Sequence, residues 1–486
     1  MTGPYVRVDV WTLNPSDPII VGYAAAVSAM QGIATTSPLS WAYQAAIHGT
    51  TSTPNQPLWN QCQHGSWHFL SWHRMFLHFF ERIARAHVVA CGGPENWALP
   101  YWNYDGGGNY NTLPPAFRNA TSSDGTPNPL YVGQRGAGIN SGAGLQSAVT
   151  SPSTALACAS FTGTSEFGGG IAGPLQFSGE YGQLELTPHN AVHGAIGGWM
   201  NDIRMAAQDP IFWLHHANID RLWWLWGEGH SVPADAAWAN QSFSFFDADE
   251  SEVALVGKDV VDTITQLGYT YDHVPPPSVA SAQRLTPVTV NWPPPWPKRP
   301  QSLAAIPPTG PGPIRHLIGA SGEPVRLVGE PVEVTVPVDE ASVQELMTSP
   351  VGEEIQRRAF VEIDDIEAEH APDLVYGVYV NLPSNPSDAE LASDHVGNLP
   401  FFGIELSQTP VSDRHAHGLH VTLEITGLLD SQVATGRWQN PNEISVAFRP
   451  LTLEAPPDHP EIADEIASPT HLDNPVTIGR VSLRLA

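Results

Sequence analysis

Six histidines of this 486-residue chain are spaced as metal ligands: His48, His64 and His73, then His189, His193 and His216. His189 and His193 are four residues apart, so on a helix one imidazole sits a turn above the other and both reach a single ion. His216 lies roughly two turns into a second helix beginning at Asp209-Pro210, and side-by-side packing brings it to the same ion. In the first trio, the separation of His64 and His73 would put them on opposite faces of one continuous helix. His64 therefore precedes the helix that carries His73, and Gly65 lets the chain turn in. His48 closes the apolar segment SWAYQAAIHG before a glycine stop. Three neutral imidazoles per metal, with no carboxylate or thiolate at matching spacing, suit copper or zinc far better than magnesium or calcium. Two such sets on four packed helices make a dinuclear centre in a bundle core. The other histidines, His68, His78 and His420 among them, read as surface or hydrogen-bonded residues.

The elements that must hold these ligands are legible. WHFLSWHRMFLHFFERIARAHVVACGGP is apolar nearly all round, which predicts a buried helix stopping at Gly92-Gly93-Pro94. Asp209 suits an N-cap and Pro210 the first helical position, so a second helix runs from there through IFWLHHANIDRLWWLWGEG and ends near Gly227 to Gly229. The Gly-, Ser- and Asn-rich stretch from Asn111 to Gly173 reads as long loops. Between Pro275 and Pro313 stand 13 prolines in 39 residues, a composition that favours extended chain and marks a domain junction. Beyond it, short alternating runs such as EPVEVTVPVD, LVYGVYVNLP, HVTLEIT and EISVAFRP predict an antiparallel β-sandwich. The expected architecture is an α-helical bundle over residues 1–274, a proline-rich linker over 275–313 and a β-sandwich domain over 314–486.

Composition excludes several classes. Lys and Arg total 21 against 49 Asp and Glu, a net charge of −28, which argues against a nucleic-acid or anionic-membrane partner. The opening MTGPYVRVDVWTLNPSDP lacks a basic stretch followed by an apolar run, and no segment has 18 consecutive apolar residues. A cytoplasmic protein without an export signal of its own is the expectation. Cys62, Cys91 and Cys158 are too few for a disulfide scaffold, whereas 20 His and 16 Trp point to metal ligation inside an aromatic core.

The segments HG (64–65) and WHRMFLHFFE (72–81), then HNAVHGAIGGWM (189–200) with DPIFWLHHANIDRLW (209–223), resemble the two copper motifs of the tyrosinase, catechol oxidase and haemocyanin family. The likeness extends to VRVDVWTL near the start and GYTYD (268–272). The β-rich region is similar, more loosely, to the C-terminal domain that shields the copper site in plant and fungal members. The resemblance implies that His48, His64 and His73 bind one copper, CuA, and His189, His193 and His216 the other, CuB. It implies that Cys62, in the order Cys-Gln-His, forms a thioether with His64; the residue alone would equally suit a buried free thiol. His215 is expected to turn away from the ion behind its neighbour. Asp220 would orient an imidazole on its own helix face or serve in a salt bridge.

The activity implied is oxidation of phenols and ortho-diphenols to ortho-quinones by dioxygen at two coppers. Asn190 matches the asparagine, and Glu185 best matches the glutamate, that together hold a water acting as base toward monophenols; Glu180 is the second candidate for the glutamate. Gly194 leaves the entrance beside the second CuB histidine wide unless a loop refills it. Phe401 and Phe402, in NLPFFGIE, are expected as core residues of a strand rather than a plug. The expected partners are small phenolic substrates and a protein that delivers copper. Three alternatives stand: an oxidase of ortho-aminophenols or methoxyphenols, a haemocyanin-like dioxygen carrier, and a dizinc hydrolase, the last disfavoured because such sites use bridging carboxylates. Carriers of this kind are arrays of repeated units, and this chain carries one.

Overall fold

The computed structural model describes residues 4–122, 124–174, 176–272, 315–339, 342–343, 358–407, 418–438, 440–457, 459–466 and 472–486. The expected linker, 275–313, lies outside the described residues. Among the helices of the first region, five position the site: α1 (Pro18–Gln31), α2 (Trp41–His48), α3 (Phe69–Ala90), α4 (Ala191–Ile196) and α5 (Pro210–Trp226). Three begin at residues whose side chains satisfy orphan amide groups, as helix starts require. Asp17 accepts from the Ile19 N–H, Ser40 from Tyr43, and Asp209 from Ile211. Asp209 also takes two hydrogen bonds from the buried Arg135 guanidinium, at 2.8 and 2.7 Å, which pins the start of α5 to a loop. The expected ends hold as well: α3 stops before Cys91 and Gly92, and α5 stops before Gly227.

The helices share one apolar core, because α3 and α5 are buried along nearly their whole length. Phe80 of α3 lies flat against Trp213 of α5, with ring centroids 3.4 Å apart and 11° between planes. A short strand, β1 (Tyr5–Arg7), a hairpin of β2 (Ser242–Phe246) and β3 (Glu252–Val256), and β4 (Tyr269–Tyr271) complete this region. β1 pairs in parallel with β4, so the beginning of the region is tied to its end.

That pairing delivers Arg7, Tyr269 and Tyr271 to Asp220, which decides the role of this carboxylate. Asp220 accepts from Arg7 Nη1 at 3.0 Å, from Tyr269 Oη at 2.5 Å, and from Arg74 Nε and Tyr271 Oη. Its oxygens are committed to guanidinium and phenol donors, so the expectation that Asp220 orients an imidazole is corrected to the salt-bridge alternative. The opposing guanidinium charges hold its carboxyl below the usual range despite burial.

The C-terminal region holds two antiparallel sheets. One has the order β10 (His395–Leu399), β9 (Val375–Val380), β12 (Glu443–Leu451), β7 (Val332–Pro337). The other has the order β11 (Leu419–Glu424), β8 (Ala359–Glu367), β13 (Val476–Leu485), β5 (His316–Ala320), with β6 (Val325–Leu327) also on β13. Inward residues of both sheets, such as Val378 and Phe448 from one and Val361 and Val481 from the other, belong to one apolar cluster. The four runs singled out in the sequence fall on β7, β9, β11 and β12. Among the described residues no helix is long and apolar enough to cross a membrane.

Breaking a buried ion-pair network by removing one partner leaves uncompensated charge, at a cost of about 3–5 kcal/mol. Asp220→Ala, which strands Arg7 and Arg74, is expected to lower stability by about that amount in urea unfolding; a change within experimental error would contradict the network's role.

Candidate dinuclear metal centre

Each element delivers its histidine where the spacing requires. His48 is the last residue of α2 and His73 sits one turn into α3. His64 precedes α3 in a loop whose Gly65 takes φ +56°, a backbone conformation open to glycine at little cost. A Cβ on Gly65 would stand 3.0 Å from the Phe177 backbone, so the loop is closely packed as well as sharply turned. His189 lies in a wide helical turn, Glu185–Asn190, that runs into α4, and His193 follows on α4. His216 projects from α5.

The second trio converges. His216 Nε2 stands 3.3 Å from His189 Nε2 and 3.4 Å from His193 Nε2. Three nitrogens bound tetrahedrally at about 2.0–2.1 Å from one ion would stand about 3.3 Å apart. In the first trio the ring centroids of His48, His64 and His73 are 5.0 to 5.6 Å from one another. The trios adjoin: His73 stacks on His216 at 4.7 Å and 17°, and His64 lies 5.7 Å from His189.

Hydrogen bonds from the other ring nitrogen fix which atom faces inward. The Nδ1 atoms of His48, His73 and His193 meet the backbone carbonyls of Ile203 (3.0 Å), Phe69 (2.8 Å) and Met200 (2.5 Å), while that of His189 meets Asn190 Oδ1 at 2.8 Å. A carbonyl only accepts, so Nδ1 carries the proton and the lone pair lies on Nε2. His48 Nε2, His73 Nε2 and both nitrogens of His64 are buried with no protein hydrogen-bond partner. Buried polar atoms in that condition are costly unless something else binds them, and an all-nitrogen donor set fits copper or zinc. None of the candidate metal-holding groups among the described residues contains a carboxylate. Burial drives all six pKa values down, that of His48 to about 3, so the rings are neutral and their lone pairs available.

The remaining expected residues are placed as follows. His215 stacks on His189 at 5.3 Å and 19° and lies edge-on to His193 at 4.8 Å, wedging two rings of the second trio from behind. Its ligand atom lies in the same group as theirs, but the short Nε2 approaches involve only His189, His193 and His216. Cys62 is buried and free, grouped with His48 and His64, and its Sγ accepts from Gln176 Nε2 at 2.7 Å. Glu185 is buried; its Oε1 accepts from the Gly65 N–H at 2.8 Å and its Oε2 has no protein partner. Burial lifts its carboxyl well above the usual range. Glu180 is instead paired with Arg315 at the edge of the C-terminal region.

Two expectations about the entrance are corrected. Phe402 is not a strand residue: β10 ends at Leu399, and Gly403, at φ +83°, turns the chain so that only Phe401 enters the sheet core. Phe402 lies over the histidines, stacked on His193 at 4.0 Å and 19° and 5.5 Å from His64. The space at Gly194 is refilled, since a Cβ there would stand 2.9 Å from Val375 Cγ2. The residues missed by the sequence reading, Val375 and Asp373, come from the far end of the chain, and no local spacing marks them.

A helical core around two adjoining histidine trios, faced by a β-rich region, defines a candidate dinuclear metalloprotein. Residues 38–156 and 143–228 match the model of the common central domain of tyrosinase, 233–283 that of the polyphenol oxidase middle domain, and 315–485 a domain of unknown function. Tyrosinase HcTyr1 of Hahella sp. (strain CCB-MM4) is 31% identical over 475 residues, covering 90% of this chain and 93% of that protein. Polyphenol oxidase A1 of Vicia faba is 29% identical over 304 residues, and this chain spans about half of its length. Latent apple tyrosinase shares the fold over 100% of this chain and 98% of its own, with a TM-score of 0.61 at 20% identity. The chain belongs to the tyrosinase and polyphenol oxidase family of type 3 copper proteins, and it is a copper oxidoreductase acting on phenols and ortho-diphenols.

In the unfolded chain the six imidazoles titrate near their ordinary value of 6.5; in the folded chain burial keeps them neutral well below it. The unfolded state thus binds more protons as pH falls, so stability is full above that value and lost below it. The metal-free protein is expected to show a lower urea midpoint at about pH 5 than at about pH 7.5; equal midpoints would contradict a neutral buried cluster.

Proposed function

We propose that this chain binds CuA with His48, His64 and His73 and CuB with His189, His193 and His216, and oxidises phenols to ortho-quinones there. The observation that carries the assignment is the convergence of the Nε2 atoms of His189, His193 and His216, with the Nδ1 atoms of His189 and His193 committed to the Asn190 amide oxygen and the Met200 carbonyl. When bound, the copper pair would relay electrons from the phenolic substrate to dioxygen. We read the metal-bearing helices as a bundle, residues 1–274 as the catalytic domain, and the two sheets within 314–486 as a β-sandwich that shields it.

The chain's own groups do the remaining work. The face of the His193 ring that Phe402 covers is the platform for a substrate ring. A neutral phenol, with a pKa near ~10, must lose its proton to attack a metal at neutral pH. Glu185 Oε2 takes that proton through a water that the Asn190 amide also holds, and burial raises its carboxyl above the usual range, which makes it a stronger proton acceptor than an exposed carboxylate. Cys62 Sγ bonds to an imidazole carbon of His64, with two protons released and two electrons passed to dioxygen, which restrains a ligand neither of whose nitrogens has a protein hydrogen-bond partner.

Three outcomes follow. Full-length copper-loaded Phe402→Ala is expected to oxidise methylcatechol at least about tenfold faster in kcat/KM, since an aromatic side chain contributes about 1.5–3 kcal/mol to closure. No quinone from either protein would leave dioxygen carriage as the function. Glu185→Gln is expected to cut monophenol oxidation by about 10² while sparing diphenol oxidation; equal losses would remove the base role. Mass spectrometry of the peptide joining Cys62 and His64 is expected to show two hydrogens fewer than the unmodified sequence, and full mass would mean a free thiol.

A further inference from the structure

Beside His193 the catalytic region presents a trough that the C-terminal segment 371–375 fills. Gly194 and Gly197 form its floor. A Cβ on Gly194 would stand 2.9 Å from Val375 Cγ2, and one on Gly197 would stand 2.8 Å from Asp373 Cγ. The far end is rich in donors. Asp373 Oδ1 accepts from the Gly198 N–H at 2.9 Å and from Asn201 Nδ2 at 3.2 Å. Asn201, only 2% exposed, also donates to the Pro372 carbonyl at 2.9 Å and the Ala371 carbonyl at 3.3 Å, while its buried Oδ1 has no partner. Every group set on these donors is an oxygen acceptor, and one is a carboxylate.

The near end of the trough is the copper-facing imidazole itself. His193 Nδ1 is held by the carbonyl of Met200, the residue before Asn201, so ring and donors belong to one short length of backbone. Phe402 supplies an aromatic ring at one end and Asp373 a carboxylate at the other, with Val375 between them over Gly194. Together they outline a phenol with an anionic tail.

We propose that this trough is a subsite for the carboxylate of phenolic acids. The substrate ring replaces Phe402 against His193, an aliphatic tail crosses Gly194, and the carboxylate replaces Asp373 on the Gly198 N–H and the Asn201 amide. The proposal rests on phenol oxidation at this centre and on vacating the positions of the Phe402 and Asp373 side chains, which the variants below do without removing the segment. Hydrogen bonds to a charged group contribute about 1.5–3 kcal/mol, which is about tenfold or more in affinity. Neutral catechols have nothing to place there.

The test compares dihydrocaffeate with methylcatechol, using the full-length copper-loaded chain in the Phe402→Ala background. Adding Asp373→Ala is expected to lower KM for dihydrocaffeate about tenfold and to leave that for methylcatechol within about twofold. Adding Asn201→Leu is expected to cancel the gain. Equal shifts for both substrates, or none, overturn the subsite while leaving the oxidase reading intact. Should methylcatechol go unoxidised throughout, the oxidase reading fails, and calorimetry on the copper-free double variant decides the subsite. Phenylpropionate binding about tenfold tighter than its amide supports the subsite, and equal binding overturns it.

Discussion

A buried imidazole has two nitrogens to satisfy, and this fold satisfies one of them from within. Carbonyls of Phe69, Ile203 and Met200 and the side chain of Asn190 take the Nδ1 protons of four rings, which leaves lone pairs aimed at a shared interior. The rest of the structure serves that constraint. α2, α3, α4 and α5 must pack closely enough to exclude water, so they are apolar nearly all round and stacked with aromatic rings. Apart from Glu185, buried charges near the core such as Arg7 and Arg74 are gathered around Asp220, with which they pair.

The C-terminal region extends the same logic from the outside. It meets the catalytic region through several hydrogen bonds from side chain and backbone. Asn398 donates to the Ala148 carbonyl and to Thr187 Oγ1, two residues before His189, and Gly144 exchanges backbone hydrogen bonds with Glu454. Over the metal centre, in contrast, it offers apolar surface, Phe402 and Val375, that covers the rings without ligating them. A cover that touches but does not coordinate can leave without dismantling the ligand set.

Much of this was readable in the sequence because it is local. The four-residue step from His189 to His193, the Asp209-Pro210 helix start and the need for Gly65 to turn the chain before α3 are all statements about neighbours along the backbone. The strand runs on β7, β9, β11 and β12 were readable for the same reason, whereas β8 and β13, which pair with each other at the centre of a sheet, were not singled out. The role of Asp220 depended on β1 meeting β4, a pairing of residues more than 250 positions apart that no periodicity encodes. Phe402 was misread as sheet core because Phe401, its neighbour, is sheet core; the turn at Gly403 separates them. Val375 and Asp373 close on Gly194 and Gly197 only through tertiary packing, so the wide entrance expected from a glycine was a correct reading of one residue and a wrong one of the site.

The central claim is that two separate histidine trios each hold one ion. Copper content per chain, measured after loading and dialysis for the native sequence, His73→Ala and His193→Ala, tests it most directly. Two coppers in the native chain and one in each variant are expected. A native chain that holds fewer than two, or a variant that retains both, would contradict it.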